Sequence, residues 1–171
     1  HSSGTEKNPI VTMSNMGIRC TATTPTAGWA VKIDDTTGYH RFNNVTTMGF
    51  YDGYLVTAGF YTTWFNCNLI AGPHSAVSLS NAGNADIGGY KFIGDHFFSG
   101  ISSSLYGLFY VSGGAIEVAS CDFNAQKPFV AGTQFTYPMF VNFLQATSDV
   151  NFHDLLIENF NGNGIRMRNL S

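Results

Sequence analysis

Charge is what this sequence has least of. Only 11% of its 171 residues are Asp, Glu, Lys or Arg, against roughly 25% in an ordinary soluble protein. Eight basic residues against eleven acidic ones, with a formal net charge of −3, leave no footprint for binding a nucleic-acid backbone. Disorder is excluded from the other side, because it needs low hydrophobicity with high net charge. Here the hydrophobic fraction is 44% and the mean hydropathy is +0.01. The Ala, Glu, Lys and Leu enrichment of a coiled coil or helical bundle is missing too. Cys20, Cys67 and Cys121 are too few and too scattered for a disulfide scaffold or a zinc site. No run approaches the roughly eighteen apolar residues of a membrane-spanning helix, so no membrane span is expected.

In place of charge stand nineteen glycines, 15% aromatic residues, and Asn, Ser and Thr amounting to about a quarter of the chain. The length suits one domain, and the composition points to an all-β chain. At the start, His1-Ser2-Ser3-Gly4 reads as an expression-tag remnant (residues 1–4) and is left out of fold reasoning. The strand-like ending Arg166-Met167-Arg168-Asn169-Leu170-Ser171 reads as an excised fragment of a longer protein.

A repeat organises the rest. Five segments align without gaps: HRFNNVTT from His40, TTWFNCNL from Thr62, YKFIGDHF from Tyr90, IEVASCDF from Ile116 and VNFHDLLI from Val150. Their third position is Phe42, Trp64, Phe92, Val118 or Phe152, and their eighth is Thr47, Leu69, Phe97, Phe123 or Ile157. The fifth is small or turn-forming throughout: Asn44, Asn66, Gly94, Ser120 and Asp154. Successive repeats start 22, 28, 26 and 34 residues apart. A further strand-like run recurs with each coil, at Ala30–Ile33, Tyr54–Thr57, Ala76–Leu79, Leu108–Val111, Phe140–Phe143 and Gly164–Met167.

Each repeat predicts a short strand, a tight corner at the fifth position and a second short strand. The first and third positions alternate inward with period 2, and the corner resets the phase so that the eighth points inward again. One coil of this length cannot bury its own apolar face. Stacking coils at about 4.8 Å places each residue over its equivalent and makes a continuous core. An antiparallel sandwich also has many short strands, but it does not predict a gapless repeat with a fixed corner. The expected fold is all-β, a right-handed single-stranded parallel β-helix of about five to six coils spanning residues 28–171. Residues 5–27 form an N-terminal segment covering the helix end.

Low charge, abundant Gly, Asn, Ser and Thr, inward aromatic stacks, unequal coils and an Asn/Ser corner column make residues 28–171 resemble the right-handed β-helix of bacteriophage tailspikes. Those belong to the wider pectate-lyase-like superfamily. The resemblance implies a homotrimer in the virion (phage tail) that binds, and usually cleaves or deacetylates, bacterial surface polysaccharide such as capsule or O-antigen. The clustered acidic calcium site and paired arginine motif of true pectate lyases are not found in this sequence. No cofactor and no metal is expected.

Outward positions form vertical stripes. At the fourth, Asn43, Phe65, Ile93, Ala119 and His153 include three successive apolar residues on an outward face, which predicts burial against something. Either Phe65, Ile93 and Ala119 form a trimer interface, or a loop or the N-terminal segment covers them. At the second, Lys91 and Glu117 fall on consecutive coils, about 4.8 Å apart, as an ion pair or as part of a site. The sixth column, Val45, Cys67, Asp95, Cys121 and Leu155, is broken by one charge. A partly buried carboxyl tends to a raised pKa and can serve as a general acid. With His96 beside it and Glu117 and Asp122 one coil away, Asp95 heads the densest ionisable cluster.

The candidate catalytic residues are therefore Asp95, Glu117 and Asp122, since glycoside hydrolysis needs two carboxyls ~5 to ~9.5 Å apart. Against this, Asp95 can simply cap backbone amides beside Gly94. Candidate substrate-binding residues are His96, Lys91, Tyr106, Phe135 and Tyr137, the last three as aromatics in the longer intervals that either stack on sugars or fold back as a lid. Asp34, Asp35, Asp52 and Asp86 lie near turns and are expected to serve them. Cys67 and Cys121 share a column two coils apart, about 9.6 Å, which is beyond the ~7 Å Cα limit of a disulfide, so both are expected as buried thiols. Three readings remain: a polysaccharide-binding tailspike domain, a glycoside hydrolase or lyase, and a non-catalytic structural or adhesive segment of a phage fibre or secreted protein.

Overall fold

The computed structural model describes residues 10–22, 25–34, 39–57, 61–79, 89–99, 109–111, 115–124, 141–143, 150–158 and 165–167. No helix occurs among the described residues. The chain begins with β1 (Ile10–Arg19) and β2 (Trp29–Ile33), then β3 (Tyr39–Met48) and β4 (Asp52–Val56). The next coil carries β5 (Tyr61–Phe65), β6 (Asn68–Ala71) and β7 (Ser75–Leu79), and the one after it β8 (Tyr90–Ile93), β9 (His96–Ser99) and β10 (Phe109–Val111). Then come β11 (Ile116–Ala119), β12 (Asp122–Asn124) and β13 (Val141–Phe143), and lastly β14 (Val150–His153), β15 (Leu156–Glu158) and β16 (Ile165–Met167).

Every pairing among these strands is parallel and joins one coil to the next. One sheet runs β14-β11-β8-β5-β3-β6-β9-β12-β15, with β1 also on β3, and the other runs β16-β13-β10-β7-β4-β2. Strand β3 passes through its corner, so its first half pairs with β5 and its second with β6. This is a parallel β-solenoid, and the antiparallel sandwich is excluded. The expected five to six coils are corrected to about three turns of solenoid. The physical reason lies at the ends, where a coil has a neighbour on one side only. Phe152 and Leu155 are merely half-buried there, and Val11, Met16, Leu156 and Ile157 are exposed.

The corner is as the repeat predicts. Asn44, Asn66, Gly94, Ser120 and Asp154 all have left-handed backbone, with φ between 51° and 65°. Asn, Asp and Gly tolerate that region at least cost. Asn15 shares it (φ 53°) and accepts a hydrogen bond from the Asn44 side chain at 3.0 Å. Residues 11–18 pair with 40–47 position for position, so the segment expected to cover the helix end contains a sixth repeat. Gly17 and the polar Thr12, Ser14 and Asn15 hid it from an alignment that sought aromatic third positions.

Inside, the third-position rings stack: Phe42 on Trp64 at 5.5 Å and Trp64 on Phe92 at 4.3 Å between centroids. Phe97 and Phe123 do the same at 4.4 Å on the eighth column. Tyr54 from the second sheet closes edge-on against Phe42 and Trp64. Buried Val56, Val77 and Leu79 complete that wall. Offset and edge-on ring pairs of this kind contribute about 0.5 to 1.5 kcal/mol each beyond their buried area. The core therefore holds the two sheets at fixed spacing and presents their outer faces as flat ladders.

Candidate functional site

The outward face of the sheet formed by β3, β5, β8, β11 and β14 carries most of the candidate chemistry. Register places Arg41, Thr63, Lys91, Glu117 and Asn151 in one column. Lys91 Nζ lies 2.6 Å from Glu117 Oε2, so the expected cross-coil pair forms. His153, on the next coil, brings Nε2 to 3.7 Å from Glu117 Oε1 and Nδ1 to 3.1 Å from Asp154. Lys91 holds the Glu117 carboxyl below its usual range. Asp154 first, then Glu117, hold the His153 imidazole above its own. These groups are exposed, so the ladder orders side chains more than it stabilises the fold.

Beside this column the face is indented. A groove of about 270 Å³ is lined by Gly89 and Ala115, by the strand starts Tyr90 and Ile116, and by Lys91, Glu117 and Asn151. Next to it Tyr39 and Tyr61 stack in parallel, with centroids 5.4 Å apart and planes 12° apart. They occupy the position just before each repeat. Extending the five-segment alignment by one residue toward the N-terminus would have found Tyr39, Tyr61, Gly89 and Ala115 as a column.

The fourth-position stripe lies on this same face. Phe65 is 44% exposed, Ile93 is half-buried and Ala119 is 6% exposed. The neighbouring ladder around the corner holds His96 and Asp122, opposed in register. His96 Nδ1 is 3.6 Å from Asp122 Oδ2, and His96 stacks on Phe98. Asp122 Oδ1 is enclosed without a hydrogen-bond partner.

Asp95 stands apart from all of these. It is 0% exposed and faces the interior between Cys67 and Cys121. Its Oδ1 accepts from the Cys67 backbone N–H at 2.7 Å and its Oδ2 from the Ile93 N–H at 3.1 Å. Burial pushes its pKa up to about 7, opposed by those two amides and the Cys67 thiol. The same burial, with Asp95 as the next cause, pushes the Cys67 thiol up to about 11 and Cys121 up to about 12. Both cysteines are free and buried, with their thiols donating to carbonyls of Phe42 and Phe65, and of Phe92 and Ala119. The three candidate carboxyls thus do not share one surface: Asp95 is inside, Glu117 and Asp122 outside. Tyr106, Phe135 and Tyr137 lie outside the described residues.

One constellation escaped the sequence reading. Asp52, read there as a turn residue, accepts from Ser75 Oγ at 2.7 Å and lies 2.6 Å from His74 Nδ1, both on Oδ1. Tyr51 stacks on the His74 ring at 4.9 Å. The residue types match a hydrolytic triad but the geometry does not. A triad needs the serine on the imidazole nitrogen opposite the carboxylate, whereas Ser75 and His74 converge on one oxygen. The network instead ties β4 to the turn before β7. No sequence signal pairs residues 52 and 74, since neither lies in the repeat.

Compared with family models, curated proteins and solved structures, the chain matches none.

Proposed function

We propose that this chain is a right-handed β-helix segment of a bacteriophage tailspike, homotrimeric, that binds bacterial surface polysaccharide such as capsule or O-antigen. The observation carrying this reading is the outward face with its tyrosine pair, its groove and its Lys91–Glu117–Asn151 column. Such a face offers flat apolar rings beside several hydrogen-bonding groups, the combination a hydroxyl-rich polymer of uncharged rings requires. The low charge of the chain agrees, because a neutral polymer is recognised through directed hydrogen bonds and contact area. The right-handed winding follows the rule for parallel crossovers. Exposed Phe65 and half-buried Ile93 support burial of this stripe against a second and third copy, whereas Ala119 is already enclosed within its own chain.

Binding is the better supported part. A hydrolase or lyase step through Asp95, Glu117 and Asp122 requires two carboxyls flanking the scissile bond, and enclosure of Asp95 argues against its taking part. The test is to incubate the protein with purified capsular and O-antigen polysaccharides from a panel of bacteria. Binding by isothermal titration without release of reducing ends or unsaturated sugars is expected. Cleavage abolished by Asp95→Asn with binding retained would support the enzymatic alternative. Absence of binding to every polysaccharide would favour a purely structural or adhesive segment.

A further inference from the structure

The stack of strands has two outer edges. At one, β1 pairs with β3 alone among the described residues; at the other, β14, β15 and β16 each have a single neighbour. Edges of this kind present unpaired backbone N–H and C=O groups, a template for a further strand. Both carry apolar side chains open to solvent. Val11 is 45% and Met16 41% exposed on the first, Leu156 53% and Ile157 44% on the second. A solenoid that stays single ends in capping repeats with a polar outer face. Here the inward columns stay apolar up to both edges, with Met13, Met16 and Ile18 at one and Phe152, Leu155 and Ile157 at the other.

We infer that copies of this chain stack head to tail, with β14 and β15 of one copy lying against β1 of the next as one more parallel coil. Three matches select a second copy as the occupant. The first is shape. Both edges turn a left-handed corner at the fifth position, at Asn15 (φ 53°) and Asp154 (φ 55°), so both halves of each edge pair together at the usual ~4.8 Å. The second is hydrogen bonding at that corner. Asn44 Nδ2 donates to Asn15 Oδ1, which leaves the Asn15 Nδ2 to donate outward. Asp154, whose Oδ2 lies 3.1 Å from His153 Nδ1, keeps its other oxygen to accept. The third is charge. Arg19 follows the eighth position of its edge and Glu158 follows the eighth of the other, so one column sets a guanidinium against a carboxylate. Both residues are exposed. Beside them Leu156 meets Gly17, where a Cβ would have nothing within 4 Å. On the second sheet the same step sets Arg166 in register with Lys32, and Asp34 already pairs with Lys32 at 2.7 Å. The contact is heterologous and does not close on itself, so it propagates as a rod. It needs neither a glycan nor the stripe of Phe65, which lies on a lateral face.

The experiment is sedimentation equilibrium of the purified chain over a wide concentration range, beside Arg19→Glu, Glu158→Arg, the double reversal and an equimolar mixture of the two single variants. Circular dichroism checks that each variant is folded. In the unaltered protein the mean mass is expected to rise with concentration above that of the dilute sample. Each single reversal sets like charges at the contact and should weaken this association roughly tenfold or more. The double reversal makes the charges opposite again and should restore the rise. So should the mixture, because each variant then offers the end that the other lacks. Phe65→Lys should lower the dilute mass and leave the concentration dependence in place. A mass that does not change with concentration in the unaltered protein overturns the inference. An equal rise in all the charge variants overturns it as well, and ascribes the association to another surface.

Discussion

A carboxyl buried out of reach of water keeps its proton far longer than one in solvent, even where two backbone amides and a thiol favour its ionised form. Asp95 has its pKa raised to about 7 from an ordinary 3.8. Because the folded value lies above the unfolded one, folding favours the protonated form. The stabilisation is complete below pH 3.8 and is lost as pH rises through about 7. At about 1.4 kcal/mol per pH unit the loss is on the order of 4 kcal/mol. Urea unfolding is therefore expected to show stability falling between pH 4 and pH 8. In Asp95→Asn, one amide loses its acceptor at a cost of about 1 to 3 kcal/mol, and that pH dependence should vanish. Parallel pH profiles for the two proteins would exclude Asp95 as its source. The sixth column of the repeat marks Asp95 as an interruption, yet it does not tell burial in the core from exposure in a cleft. That depends on which way the corner turns the side chain.

At the scale of the strand, the solenoid tolerates substitution wherever a neighbouring side chain can give way and resists it wherever backbone blocks the path. A Cβ at Gly94 would meet Asn66 Oδ1 at 2.6 Å, the far end of a movable side chain. A Cβ at Gly53 would meet the Ala76 carbonyl oxygen at 2.4 Å, in the strand of the next coil. Gly94 also has φ +65°, which Asn tolerates better than Ala. Gly94→Asn should thus keep stability within about 1 kcal/mol and extend the Asn15–Asn44 ladder. Gly53→Ala must push β4 from β7 and should cost about 1 to 3 kcal/mol. Denaturant midpoints for both variants check the ordering, and a larger loss at Gly94 would refute it. The repeat made the Gly94 corner legible. Gly53 was not, because its crowding comes from a strand more than twenty residues away in the chain.

For the whole molecule, the stripe of Phe65, Ile93 and Ala119 has the consequence that can be weighed directly. Light scattering of the purified protein is expected to give about three times the 18.6 kDa of the chain. Phe65→Lys should return it to a single chain, by placing an ammonium on the most exposed residue of the stripe. A monomer mass for the unaltered protein would refute the trimer.

The sequence by itself determined the columns. Period-2 alternation and a corner that must adopt left-handed backbone are local properties, so inward Phe42, Trp64 and Phe92 and the turns at Asn44 and Asn66 could be read from one coil at a time. It also determined that like positions stack, which put Lys91 beside Glu117. Only the tertiary structure decided how the intervals between repeats fold back. Their lengths vary from 14 to 26 residues, and no local rule fixes where such a segment lands. That return brings His74 and Ser75 onto Asp52 and closes the second sheet over Asp95. On the other sheet, the lateral register of the strands sets Gly89 beside Ala115 and Lys91 beside Glu117, and the groove lies among them. A one-dimensional repeat specifies what lies above what; which groups enclose a carboxyl or leave a gap is settled by contacts between coils.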